Sequence, residues 1–110
     1  MKPLRIARVV VGKDLPAILR YHGRFSPAKA AEILEESEAV VAHLQRFPES
    51  FPERGHGWRM YPFARSTYLL FYRELEHFWL VAGVLHSSRD PDSIQALLLT
   101  REVQAPEEKG

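Results

Sequence analysis

The first patterned stretch, LRIARVVV (Leu4 to Val11), is β-branched and ends at Gly12. It reads as a strand, because branched side chains pack well on a pleated surface. Arginine and apolar groups fall on both of its faces. In DLPAILRYH (Asp14 to His22), Leu15, Ile18, Leu19 and His22 follow helical spacing. Asp14 is the expected N-cap, Pro16 fits the first turn, and Gly23 ends the helix. Ser26-Pro27 repeats the cap-then-proline signal, without a capping box, since Lys29 stands where a glutamate would be. Ala30, Ile33, Leu34, Val41 and Leu44 then line one face, with Glu32, Glu35, Glu36 and Glu38 mainly outside it. This predicts an amphipathic helix of about five turns, stopped before Pro48. So short a connection makes the two helices an antiparallel hairpin.

PESFPERGHG (Pro48 to Gly57) is a long loop rich in Pro, Gly and charge. Three aromatic and β-branched runs follow at short spacing: WRMYPF (Trp58 to Phe63), TYLLFYRE (Thr67 to Glu74) and HFWLVAGVLHS (His77 to Ser87). They predict an antiparallel meander. The last run is apolar on both faces, as a central strand is. Asp90-Pro91 opens a short terminal helix with Ile94, Leu97 and Leu98, and QAPEEKG (residues 104–110) reads as a polar tail. The expected fold is α+β: an N-terminal strand, a helical hairpin on one face of the sheet, a three-stranded antiparallel meander and a short C-terminal helix. Residues 1–103 would form a single domain.

A chain of 110 residues, 45% hydrophobic and 11% aromatic, has the composition of one small folded domain rather than a disordered segment. Without cysteine, disulfides and thiolate zinc sites are excluded, which suits the cytoplasm. The longest apolar run near the N-terminus is Val9 to Val11, too short for a signal sequence, and no run suggests a membrane span. The net charge of +1 conceals segments of +5 (residues 1–24), −4 (25–53), +2 (54–90) and −2 (91–110). A basic face can meet nucleic acid or an acidic protein. His22, His43, His56, His77 and His86 show no metal-ligand spacing, so neither a metal nor another cofactor is expected.

Four features in this order resemble the RelE/ParE superfamily of type II toxin–antitoxin toxins, nearest its ParE-like, plasmid-stabilisation branch. They are the strand leading into a helical hairpin; AHLQRFPESFPE (Ala42 to Glu53); WRMYPFARSTYLLFYRE, with Tyr68, Tyr72 and Arg73; and VAGVLHSSRDP, with Val84, His86, Arg89 and Asp90. The first helix is shorter than is usual there, and the net charge is modest. The resemblance implies a growth-inhibiting toxin neutralised by a small acidic antitoxin encoded by an adjacent gene. In such pairs an antitoxin segment folds onto the toxin's grooves. Trp58, Tyr61, Phe63, Phe78 and Trp79 either fill the core or leave an apolar sheet face uncovered for it.

The superfamily divides by mechanism. ParE-like members inhibit DNA gyrase by binding it, whereas RelE-like members cleave messenger RNA on the ribosome. Cleavage needs a base, an acid and cations around the phosphate. The candidates for that alternative are Arg59, Arg65, Tyr72, His86 and Arg89. By period two His86 shares a face with Phe78, Leu80, Ala82 and Val84, an apolar neighbourhood that suits a structural histidine. Asp90 is expected to cap the terminal helix, and Ser87 and Ser88 to serve the turn. Arg59 is the best phosphate-binding candidate. These residues favour binding over catalysis, with antitoxin or target contacts assigned to Trp58, Arg59, Tyr61, Arg65, Arg73 and Arg89. A third reading is a non-toxic partner-binding module of the same fold.

Overall fold

The computed structural model describes residues 2–105. Its elements are β1 (Leu4–Ile6), a π-helical turn (Val10–Asp14), α1 (Leu15–Gly23), α2 (Pro27–Arg46), β2 (Arg59–Pro62), β3 (Tyr68–Glu74), β4 (Trp79–His86) and α3 (Pro91–Val103). The expected α+β architecture is the one found. The sheet order is β1-β4-β3-β2, so the apolar strand is central, as its two-sided pattern requires. The β2–β3–β4 meander is antiparallel, and β1 joins it in parallel, Leu4 beside Trp79 and Ile6 beside Val81.

The N-terminal strand is shorter than its sequence suggests. After Ile6 the Ala7 N–H still donates to the Val81 carbonyl, at 2.9 Å. Val10 and Val11 then lie in the π-turn rather than in a strand, and Gly12 continues the turn instead of ending anything. Tertiary packing overrides β-propensity here: Val10 is 2% exposed, locked into the core from a helical conformation. Asp14 is likewise not a cap. Its side chain makes no capping bond and turns inward. By contrast Ser26 caps α2 through its Oγ, which accepts the Lys29 N–H at 3.1 Å, and Asp90 caps α3 by accepting the Ser93 N–H at 3.1 Å. The proline that follows each cap carries no N–H to leave unsatisfied.

Register decides what each sheet face carries. Phe71 pairs with Gly83 but Tyr72 with Val81, so a bulge lies in β4 at Ala82. The extra residue flips the alternation. Val84 and His86 therefore share a face with Val81 and Trp79, not with Leu80 and Ala82 as strict period two predicts. Tyr68, Leu70, Tyr72, Arg59 and Tyr61 belong to that same face, against which the α1–α2 hairpin packs. The opposite face, with Phe71, Arg73, Leu80, Gly83 and Leu85, lies under α3, which buries Ile94, Leu98 and Arg101. Both faces are thus covered. Trp58, Phe63, Phe78 and Trp79 are all buried at 5% exposure or less and fill the core rather than lining an uncovered face.

The buried polar pair that replaces β1 is the fold's least local device. Beyond Val81 the outer edge of β4 has no strand beside it among the described residues, which would leave backbone groups unpaired in the interior. Asp14 Oδ2 accepts the Val84 N–H at 3.1 Å, and Arg101 Nη1 donates to the Ala82 carbonyl at 2.8 Å. The two side chains also bond each other bidentately, at 2.7 and 2.9 Å. Gly83 makes room: a Cβ there would lie 2.9 Å from Arg101 Nη1. Of the expected polar tail, Ala105 is instead buried at 1% exposure, and residues 106–110 lie outside the described residues.

Candidate partner-binding cleft

On its buried side α2 presents Ile33, Ser37, Val40 and Leu44. Ser37 is tolerated there because its hydroxyl donates to the Ile33 carbonyl at 2.9 Å. The apolar stripe is wider than the surface it covers. Leu34 and Val41, beside Ile33 and Val40, project toward the π-turn instead. Between them opens an apolar cleft of about 320 Å³, floored by Leu70, Val81 and Val84 and walled by Ile6, Val10, Val11 and Leu15. Val11 is 59% exposed there, with Ile6 and Leu34 also open. Glu38 and Gln45 form part of the α2 rim. The cleft adjoins β1, an edge strand of the sheet, whose outer backbone edge has no neighbouring strand among the described residues. Exposed apolar surface beside a free strand edge is the arrangement that accepts a partner's helix or extended segment.

The residues singled out from the sequence gather at two separate ends of the sheet. Arg59 and Tyr72 are cross-strand partners at one end. Both are engaged by the loop after α2. Arg59 Nη1 donates to the Phe51 carbonyl at 2.7 Å and the Glu49 carbonyl at 3.3 Å, and its guanidinium lies 5.7 Å from the Trp79 ring centre. Tyr72 is fully buried, donates to the Pro48 carbonyl at 2.6 Å, and has its phenol pKa raised, chiefly by that burial. An inaccessible, neutral phenol is a poor proton shuttle at ordinary pH.

Arg65, His86 and Arg89 lie toward the other end. His86 Nδ1 accepts the Ser88 backbone N–H at 3.0 Å, so its proton is assigned to Nε2, which donates to Thr67 Oγ1 at 2.8 Å. Both ring nitrogens are occupied, leaving neither positioned as a free base. Ser87 and Ser88 shape the turn: the Ser87 N–H bonds to the Thr67 carbonyl at 2.7 Å, and Ser88 Oγ lies 2.7 Å from His86 Nδ1. Arg65 is exposed, with Glu32 at 3.7 Å, and Arg89 borders a cavity of about 230 Å³ with Lys13 and His86.

Trp58 is buried, and Tyr61 and Arg73 are half-buried and bonded to the rest of the fold. Arg73 Nη1 bonds Glu102 of α3 at 2.6 Å, and its guanidinium lies 5.2 Å from the Trp58 ring centre. Gly57, at φ 82°, leaves that guanidinium the space a Cβ would fill, 2.5 Å away. Tyr61 donates to Glu36 at 2.5 Å, and the same carboxylate accepts the Ala64 N–H at 2.6 Å. Burial first, then this bond and the Glu36 charge, push the Tyr61 phenol up to about 12. The cleft residues themselves were not singled out from sequence. Their signal was the adjacent apolar pairs Ile33–Leu34 and Val40–Val41, one position wider than a helix packed on one neighbour needs. Among the described residues no group of His, Asp or Glu could hold a metal ion, and no helix is long and apolar enough to cross a membrane.

The chain is thus a small α+β domain with an open apolar cleft, in which Arg59, Tyr72, Arg73 and His86 are engaged by internal hydrogen bonds. The family described as the ParE toxin of the type II toxin–antitoxin system parDE matches residues 11–91, and the chain belongs to that family. Its fold is also that of a structure titled "Chromosomal ParDE TA system from P. aeruginosa", with a TM-score of 0.67 at 20% identity over 78% of this chain and 96% of that one. No curated protein matches the chain in sequence.

Proposed function

We propose that this chain is a growth-inhibiting toxin that acts by binding DNA gyrase, and that an acidic antitoxin neutralises it by filling the cleft between the π-turn and α2. The observation that carries the reading is the open cleft of Ile6, Val11, Leu34 and Val41 in a chain of the ParE toxin family. Its N-terminal wall belongs to the segment of charge +5, which favours an acidic partner. Binding rather than RNA cleavage is favoured because Arg59 and Tyr72 are occupied by loop carbonyls and His86 by Thr67 and Ser88.

The test is induction in cells with and without the small reading frame adjacent to the gene. Growth should arrest, purified chain should inhibit supercoiling by gyrase, and the neighbouring protein should restore both. Val11→Glu and Leu34→Glu place charge in the cleft on exposed positions, so each should leave arrest intact and abolish rescue. Harmless expression would defeat the toxin reading, and codon-phased messenger RNA cuts with normal supercoiling would defeat the gyrase target. Rescue undiminished by both cleft variants would defeat the antitoxin site.

A further inference from the structure

The tip of the helical hairpin and the far end of the sheet form a second surface, apart from the cleft. Five rings adjoin one another across it. Phe25 lies 5.5 Å from Tyr21, Tyr21 5.1 Å from His22, His22 5.6 Å from Tyr68, and Tyr68 5.4 Å from His86, centre to centre. The His22 Nε2 to Tyr68 hydroxyl bond, 2.8 Å, fixes the middle of this ladder to β3. Its outer rungs are open: Phe25 is 75% exposed and Tyr21 56%. Aromatic side chains this exposed add little to the core, so core packing does not account for them.

The charge around the ladder is one-sided. From Leu15 to Ala31 the chain has no acidic residue, while Arg20, Arg24 and Lys29 fall within it. Arg65 is brought to the same end, its backbone carbonyl bonded by Lys29 Nζ. The cavity at the His86 end adds Lys13 and Arg89. The acids nearby are Glu32, which faces Arg65, Asp90 and Asp92 at the start of α3, Asp14, which is bonded to Arg101, and Glu36, which accepts from Tyr61 and the Ala64 N–H.

Open rings interleaved with cations fit a single nucleic-acid strand better than an acidic protein surface. Unpaired bases stack on exposed rings irrespective of sequence, and phosphates are neutralised by the flanking arginines. An acidic protein would have to offer a matching pocket to each protruding ring, whereas every unpaired base carries a face that stacks on them. We infer that this end of the molecule binds single-stranded nucleic acid, with bases on Tyr21 and Phe25 and phosphates on Arg20, Arg24, Arg65 and Arg89. No bond is made or broken. The inference is independent of the antitoxin cleft and of the proposed target.

The test is fluorescence anisotropy of a labelled oligothymidine of about twenty nucleotides, titrated with the full chain at about 50 and about 200 mM salt. Saturable binding is expected, weakening steeply with salt. Tyr21→Ala with Phe25→Ala should weaken it at least about fivefold while leaving the salt slope alone, since stacking and charge are separate contributions. Arg24→Gln with Arg89→Gln should flatten the slope by about 0.7 for each lost phosphate contact. All four side chains are exposed, and thermal melts matching the parent's would show that each variant is folded. A flat titration at the lower salt overturns the inference. So does undiminished binding by the ring variant. Displacement of the strand by polyglutamate from parent and ring variant alike would instead make the surface an acidic-protein site.

Discussion

Replacing Arg101 by methionine removes a guanidinium while roughly keeping the apolar stem, and it probes how β4 is closed where β1 leaves it. The two bonds to Asp14 and the one to the Ala82 carbonyl disappear together. Asp14, whose side chain is 6% exposed, then loses its counter-ion. Removing one partner of a buried ion pair costs about 3–5 kcal/mol, and an orphaned carbonyl about 1–3 kcal/mol, some of which overlaps. We expect a loss of about 4 kcal/mol, a large share of the about 5–15 kcal/mol typical of a domain. Replacing a buried pair wholly by apolar groups is often neutral. Here Asp14→Leu with Arg101→Met should still cost about 2–4 kcal/mol, because the Val84 N–H and Ala82 carbonyl both lose their partners. The double variant should therefore fall at least about 2 kcal/mol short of the sum of the singles. Urea unfolding followed by tryptophan fluorescence measures this, since Trp58 and Trp79 are both buried. A cost below about 1 kcal/mol for Arg101→Met, or additivity within about 0.5 kcal/mol, would refute the reasoning.

Gly83→Ala should destabilise by about 1–3 kcal/mol through its clash with Arg101, and a thermal melt should show that cost shrinking in the Arg101→Met background. Arg59→Gln removes the clip on the Phe51 carbonyl, so limited proteolysis should cut the 48–57 loop sooner while far-ultraviolet circular dichroism stays unchanged. The Tyr61 phenol, raised to about 12, is held protonated by the fold, whereas the unfolded chain ionises near 10. Its contribution is therefore complete below pH 10 and lost as pH rises toward 12, where denaturant midpoints should fall; Glu36→Gln should return its phenolate absorbance toward lower pH. His86→Gln should leave growth arrest intact if that ring only ties Thr67 to the turn; loss of arrest by a folded variant would give His86 a functional role.

The local signals were legible residue by residue. Ser26-Pro27 and Asp90-Pro91 start α2 and α3, and the aromatic runs after Gly57 become β2, β3 and β4, because caps and branched side chains act within a few residues of themselves. The family was legible too, since its words are strand and turn residues in a fixed order. What failed were the places where a distant partner outweighs local preference. Val9 to Val11 reads as strand, yet Val10 is held in a π-turn by core packing. Asp14 reads as a cap, yet Arg101, 87 positions away, takes its carboxylate. His86 reads as sharing a face with Leu80, yet one bulge at Ala82 moves it to the other. Arg59, Tyr72 and Arg73 read as surface chemistry, yet loop carbonyls and α3 occupy them.

The sequence by itself therefore determined the elements, their order and the family. Only the tertiary structure decided which side chains remain available: the cleft between Val11 and Leu34, and the rings of Tyr21 and Phe25. The physical reason is that a cap or an alternation is an energy between near neighbours. Exposure is a property of what the rest of the chain leaves uncovered.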